Sequence, residues 1–120
     1  MSDAQPRATT DGSTRPLVVP VSGDLDALTA PAFRHTLELA ARQSNGLLVV
    51  DMHDLRFMDS AGLAALVGVH RQLSPERSLA LGNVPARMQR MLRVAAMSAV
   101  LPVHEEGDPW PWPDAVRLDE

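Results

Sequence analysis

The chain has 120 residues, of which 45% are hydrophobic, and it carries a net charge of −4. This length suffices for one hydrophobic core and is too short for two. The acidic balance argues against a nucleic-acid binder, which would need a basic surface, and the lack of cysteine excludes disulfides, thiolate metal sites and cysteine nucleophiles.

The N-terminal stretch, residues 1–16, is polar and rich in Ser, Thr, Asp and Gly. We expect a flexible arm, or a weak first strand in which "PRATT" pairs with the strand after the "DGS" turn. No apolar signal core is found here, and no apolar run is long enough to span a bilayer. We therefore expect a cytoplasmic protein without direct membrane insertion.

The first regular elements are a strand and a helix. "LVVPV", residues 17–21, predicts a strand, in which Pro20 favours an edge position or a bulge because proline cannot donate to a ladder. Thr29 followed by Pro31 is typical of a helix start. The apolar spacing after it predicts a helix to about Ser44, with "NG" as its C-cap.

A buried strand and a second helix follow. "LLVVDM", residues 47–52, is apolar throughout, as in strands covered on both faces, and we expect "HDLRFM" to be a loop. The second helix runs from about Ser60 to Leu73. Gly62 and Gly68 each cost about 1 kcal/mol relative to alanine within a helix, which predicts a close approach to something. Its predicted inner face consists of Leu63, Leu66, Val67 and His70.

The third strand is "SLALG", and Asn83 is predicted to cap a third helix that has Pro85 in its first turn. "VLPVH" predicts a short last strand. The order β-α-β-α-β-α-β indicates an α/β fold: a small, mostly parallel or mixed sheet of four to five strands flanked by helices. The apolar stripe of the third helix consists of Met88, Met91, Leu92 and Ala95.

The C-terminal stretch, residues 105–120, is acidic and rich in proline, and it contains both tryptophans. We expect it to lie outside the core domain, which would span residues 17–104. Two interpretations remain open for this stretch: a tail folded back over the domain, or a segment that binds a partner.

Enzymatic chemistry finds little support. Asp51 follows a buried strand like the phosphoacceptor of a receiver domain, but that site normally uses a lysine, and all 11 basic residues here are arginine. We interpret Asp51 as a turn residue at the end of its strand. Met58 stands where a hydrolase elbow needs glycine before its serine. No histidine spacing suggests a metal site, so we predict no enzymatic activity, metal or cofactor.

Ser60 remains as the residue to explain. A serine at a helix start is usually a cap, but Asp59 already fits that role, and Ala61 and Gly62 leave the hydroxyl sterically open. A phosphate on Ser60 would add about −1.5 to −2 charges. The helix dipole would favour this phosphate and nearby acids would oppose it, so its net effect within the domain would be small. The added charge would mainly weaken the binding of a partner docked here.

The motifs that carry Ser60 resemble those of a known family. "VSGDLDALTAPAF", "LLVVDMHDLRFMDSAGLAALVGVH" and "LALGNVPARMQRML" are similar to the STAS domain of anti-sigma factor antagonists, over about Leu17 to His104. The resemblance implies a small sheet flanked by helices. It also implies partner switching in transcription regulation and stress response: the unphosphorylated antagonist binds an anti-sigma factor serine/threonine kinase and frees a sigma factor. Phosphorylation ends that binding, and a PP2C-type phosphatase restores it.

The resemblance assigns roles by position in this chain. Ser60 would be the phosphorylation site, and Ala61 replaces a hydroxyl residue often found after it. In the alternative interpretation the chain is a constitutive STAS interaction module of a larger stress-signalling or membrane-associated assembly, with Ser60 purely structural. The residues that the resemblance places in the motif or partner-binding surface are Asp24, Asp26, Asp59, Ala61, Gly62 and Leu63.

Overall fold

The structure is a computed structural model that describes residues 15–44, 46–73 and 77–118. The predictions made for the N-terminal arm up to residue 14 lie outside these ranges. The first helix ends at Arg42 with Gln43 as its C-cap, so the predicted "NG" C-cap was wrong.

The elements are β1 Leu17–Leu25, α1 Ala30–Arg42, β2 Leu47–Met58, α2 Ser60–Gln72, β3 Ser78–Val84, α3 Ala86–Val94, a 3₁₀ turn Met97–Ala99, β4 Val103–Glu105 and β5 Val116–Arg117. Strands and helices thus alternate as far as β4. The strands form one sheet in the order β4-β3-β2-β1-β5, and every neighbouring pair is parallel. Parallel neighbours along the chain require crossover connections, which the helices supply. The predicted α/β class and element order are confirmed, and the sheet is all-parallel with five strands.

The two faces of the sheet have different covers. The helices pack on one face, where Leu37 of α1 and Leu66 of α2 join the main core and are fully buried. The other face carries a smaller apolar cluster, formed by Val18, Val49 and Ala80 under Trp110, Trp112 and Ala115. The C-terminal segment thus covers the second face, which explains why "LLVV" is apolar without alternation.

The described part of the C-terminal stretch folds back onto the domain. Leu118 N donates to Val18 O at 2.8 Å, and β5 pairs with the start of β1. The Trp110 ring lies edge-on to the Trp112 ring at 5.0 Å and to the His104 ring at 5.3 Å. Of the two interpretations left open by the sequence, the structure has the folded-back arrangement.

The first two strands are longer than predicted. β2 continues through "HDLRFM", so the loop prediction for that stretch was wrong. The extension pairs with β1: Gly23 pairs with Leu55, and Leu25 pairs with Met58. The apolar residues of these pairs, Leu25, Leu55 and Met58, are buried. The bulge option for Pro20 is confirmed, because the β1–β2 register shifts immediately after it.

Asp51 and Asn83 have other roles than predicted. Asp51 is buried inside β2 rather than in a turn. Asn83 lies at the end of β3 with φ 51°, and its Nδ2 donates to Asp51 Oδ1 at 3.0 Å. A buried carboxylate must be hydrogen-bonded, and asparagine tolerates the left-handed region, so Asn83 serves Asp51 instead of capping α3. Pro85 stands directly before α3.

The helix faces follow the predicted spacing with two shifts. In α2 the predicted Leu66 is buried, together with Ala65 and Val69, which the sequence analysis did not assign to the inner face. The other predicted inner-face residues are half-buried: Leu63, Val67 and His70. In α3 the stripe is buried at Met88 and Leu92. Ala95, predicted to extend that stripe, is exposed because α3 ends at Val94.

Candidate functional site

At the start of α2, one residue caps the helix and the next one carries an exposed hydroxyl. Asp59 has extended backbone angles, and its Oδ1 accepts hydrogen bonds from Ala61 N at 2.9 Å and Gly62 N at 3.3 Å. Ser60 is the first helical residue and is exposed. Within residues 15–44, 46–73 and 77–118 its hydroxyl makes no hydrogen bond. The helix therefore begins on Asp59, and Ser60 is not needed for capping.

Gly62 lets α2 start directly on the end of β1. Asp59 N donates to Leu25 O at 3.2 Å, which joins the helix start to the strand. A Cβ on Gly62 would lie 2.6 Å from Leu25 Cγ and 2.7 Å from Leu25 O, closer than real contacts allow. The predicted close approach is thus confirmed here. At Gly68 the neighbour is the guanidinium of Arg34.

Asp24 and Asp26 stand at the same edge of the sheet as Ser60, because β1 ends beside Met58. Asp26 Oδ1 accepts from Thr29 N at 3.1 Å and so stabilises the β1–α1 loop. Asp24 Oδ1 pairs with Arg56 Nη2 at 3.2 Å, an exposed ion pair. Thr29 Oγ1 donates to Asp24 O at 2.8 Å rather than capping α1, which corrects the predicted role of its hydroxyl.

A surface groove runs between the start of α2 and α3. Its volume is about 510 Å³, and neither histidine nor carboxylate is among the described residues that line it. Apolar side chains dominate the groove, and two guanidinium groups border it. The lining residues are Ser60, Leu63, Arg87, Arg90, Met91, Val94 and Ala95.

The two arginines of this groove are held differently. Arg87 Nε donates to Arg56 O at 3.3 Å and its Nη2 donates to Leu55 O, so Arg87 is fixed against β2. Arg90 is exposed and makes no hydrogen bond or ion pair to any residue that the structure describes. The sequence analysis assigned Met91 to the apolar stripe of α3 but missed Arg87, Arg90 and Val94, although these recur with Met91 at the three- and four-residue spacing of one helix face.

Large apolar side chains are exposed around Ser60. Leu28 in the β1–α1 loop is 90% exposed, Phe57 at the end of β2 is 50% exposed, and Val94 at the end of α3 is 80% exposed. Val94 also lines the apolar groove, and exposed apolar surface of this kind marks a candidate protein-binding site. This edge of the sheet therefore combines an accessible hydroxyl with a candidate docking surface.

Other kinds of site find no support in the described residues. They contain no group of three or more histidine, aspartate or glutamate side chains arranged to hold a metal ion. Among the same residues, the helices are too short or too polar to cross a membrane.

In comparisons with known proteins, a family model described as "Mlab, STAS domain" matches residues 8–102 of the chain. The chain is 30% identical over 84 residues to the anti-sigma-B factor antagonist of Listeria monocytogenes, covering 69% of this chain and 74% of that protein.

Solved structures give the same fold. An anti-sigma factor antagonist from Mycobacterium paratuberculosis is similar with a TM-score of 0.66 and 24% identity, over 72% of this chain and 76% of that one. The anti-sigma factor antagonist SpoIIAA in its unphosphorylated form is similar with a TM-score of 0.60 and 20% identity, over 76% of this chain and 81% of that one.

Proposed function

The chain belongs to the STAS-domain family of anti-sigma factor antagonists, and from this premise we propose that it is an antagonist whose binding is controlled by phosphorylation of Ser60. The observation that carries the proposal is that two neighbouring residues have different roles at the start of α2. Asp59 caps the helix, while the Ser60 hydroxyl is exposed and has no hydrogen bond within the described chain. A modifying enzyme can therefore reach it without breaking a contact.

The partner is an anti-sigma factor that is also a serine/threonine kinase. It docks over the start of α2, the β1–α1 loop and the adjoining groove, where the exposed Leu28 and Phe57 supply apolar contact. Asp24 and Asp26 shape the loop, and Leu63 lines the groove. Asp59, Ala61 and Gly62 fix the helix start that presents Ser60.

Phosphorylation uses chemistry that the kinase holds. The Ser60 oxygen attacks the γ-phosphorus of the kinase-bound ATP, the bond from that phosphorus to the bridging oxygen breaks, and ADP leaves. The hydroxyl proton passes to a base of the kinase. The product carries about −1.5 to −2 charges at the docking surface, so the partner is released. A PP2C-type phosphatase hydrolyses the ester, returning the serine and inorganic phosphate.

The experiment compares Ser60→Ala and Ser60→Asp chains as immobilised baits in lysate of the native organism, with ATP and magnesium present. We expect the alanine chain to retain an anti-sigma factor kinase and the aspartate chain to lose it, at least tenfold. Ser78→Asp is the matched control, because Ser78 is also exposed but begins β3 at the opposite edge of the sheet. This control should bind like wild type.

The alternative is a constitutive STAS interaction module in a larger stress-signalling or membrane-associated assembly. It predicts equal capture of one partner by the alanine and aspartate chains. That result would reject the phosphorylation switch and leave Ser60 as an ordinary helix-start residue.

A further inference from the structure

We propose that Arg90 binds the phosphate on Ser60 and thereby closes the groove between α2 and α3. The inference rests on the proposed function, since it concerns the phosphorylated chain. Its first support is placement: Ser60 and Arg90 line the same groove from opposite helices. Its second support is that Arg90 forms no ion pair with any described residue, so no existing contact has to break.

Two of the backbone donors that usually bind a phosphate at a helix start are already engaged. A phosphate near a helix N-terminus is normally bound by the free backbone N–H groups of the first turn. Here the N–H groups of Ala61 and Gly62 already donate to the Asp59 carboxylate. The phosphate on Ser60 would have to displace that carboxylate, which is itself anionic. With these two donors engaged, we place the phosphate in the groove that Ser60 lines.

Cations are available in that direction. Arg87 and Arg90 are the charged residues that line the groove within the described chain. The acids at this edge of the sheet are Asp59, next to Ser60 in the chain, and Asp24 and Asp26 at the end of β1, where Asp24 pairs with Arg56. Guanidinium groups bind phosphate with two parallel hydrogen bonds. Arg87 is fixed by the carbonyls of Leu55 and Arg56, so it contributes charge in place. Arg90 is the side chain that is able to move onto the phosphate.

The ion pair explains how one phosphate removes a partner. A phosphoserine bridged to Arg90 lies across the apolar lining formed by Leu63, Met91 and Val94. The partner then loses access to this apolar surface as well as meeting the new charge. Arg90 is also no longer available to pair with an acidic group of the partner.

The test is a phosphorus NMR titration of the purified full chain with phosphoserine incorporated at position 60 during translation. A neighbouring guanidinium favours the dianion and lowers the second pKa of the phosphate, which is ordinarily near about 6. We expect Arg90→Gln to raise that pKa by roughly 0.2–0.7, the size of an exposed ion pair. Arg90→Lys should restore most of the difference, because it keeps the charge.

Arg93→Gln is the matched control. Arg93 is exposed on the same helix but lines a different surface depression with Val103 and Glu105, so its loss should leave the phosphate pKa unchanged. Equal pKa values in wild type, Arg90→Gln and Arg93→Gln would overturn the inference. The titration contains no partner protein, so its failure is distinct from failure of the capture experiment.

Discussion

At the level of single residues, Asp59 and Ser60 show how neighbouring positions take separate roles. Sequence reasoning predicted this division, because aspartate and serine are both good caps and only one is needed. The structure adds that the Asp59 carboxylate bonds two N–H groups and that α2 rests on the main chain of Leu25.

The first prediction follows from that division. Asp59→Ala should lower the free energy of unfolding by about 1 kcal/mol, the usual cost of losing a cap. Ser60→Ala should change it by less than about 0.5 kcal/mol, because Ser60 is exposed and makes no hydrogen bond to the described chain. Urea denaturation of the two variants measures both values. A larger loss in Ser60→Ala would show that the serine is structural.

The two glycines of α2 give a second prediction. Gly62→Ala should destabilise the fold by about 1–3 kcal/mol, because its Cβ would meet the Leu25 carbonyl oxygen at 2.7 Å. Gly68→Ala is the control: its Cβ would meet only the end of the Arg34 side chain, which can move, and alanine favours the helix by about 1 kcal/mol. Urea unfolding should therefore rank Gly68→Ala well above Gly62→Ala in stability.

Asp51 gives a third prediction, which depends on pH. Burial raises the pKa of Asp51, but hydrogen bonds from Asn83, His53 N and Arg117, together with the Arg117 charge, outweigh burial and hold that pKa below its ordinary value. A carboxylate with a lowered pKa stabilises the fold above its unfolded value and loses that effect as pH falls through the folded value.

We therefore expect Asp51→Asn to be less stable than wild type by about 1–3 kcal/mol at pH 5 to 7. The difference should shrink as pH falls below about 4. Asp54→Asn is the control, because Asp54 lies on the same strand with its side chain 74% exposed. Urea unfolding across this pH range measures the differences, and a constant Asp51→Asn penalty down to pH 2 would contradict the assignment.

At the level of elements, the C-terminal segment is part of the sheet architecture. Trp110 packs over Gly82, where a Cβ would lie only 3.0 Å from the ring, and over the apolar cluster of the second face. Trp110→Ala should therefore lower the free energy of unfolding by about 2–4 kcal/mol, with loss of aromatic circular dichroism. Pro109→Ala, at an exposed neighbouring position, should have little effect.

The sequence predicted elements best where a single pattern controlled them. The helices and the first half of β2 followed from apolar spacing and start signals. The second half of β2 was missed because His53, Asp54 and Arg56 are exposed there and gave a polar pattern, although β1 pairs along it. The role of Asn83 depends on Asp51, 32 positions away, which no local pattern contains.

The candidate site divides in the same way. Its α2 half was visible in "DSAGL", because capping is a local rule. Its α3 half was not, since the groove exists only after α3 packs beside α2. The exposure of Leu28 and Phe57 likewise depends on how the strand ends come together.

At the level of the whole molecule, the proposed switch leaves the fold unchanged. Ser60→Asp adds charge at an exposed helix start, where the helix dipole favours an anion. We expect its free energy of unfolding, measured in urea, to match that of wild type within about 0.5 kcal/mol, while kinase capture falls at least tenfold. A matching loss of stability and capture would mean that the variant fails to bind because it unfolds.

The all-parallel sheet also has a consequence for the order in which the chain acquires its structure. Because all neighbouring strands are parallel, none of the described pairs is a hairpin. The pairing of Leu17 with Val116 links nearly opposite ends of the described chain. Contacts so distant in sequence slow folding, because the loop must close before they form. During synthesis, the β5 side of β1 is left without this partner until residue 116 has emerged from the ribosome. The protein therefore completes its sheet only after translation of the domain is essentially finished.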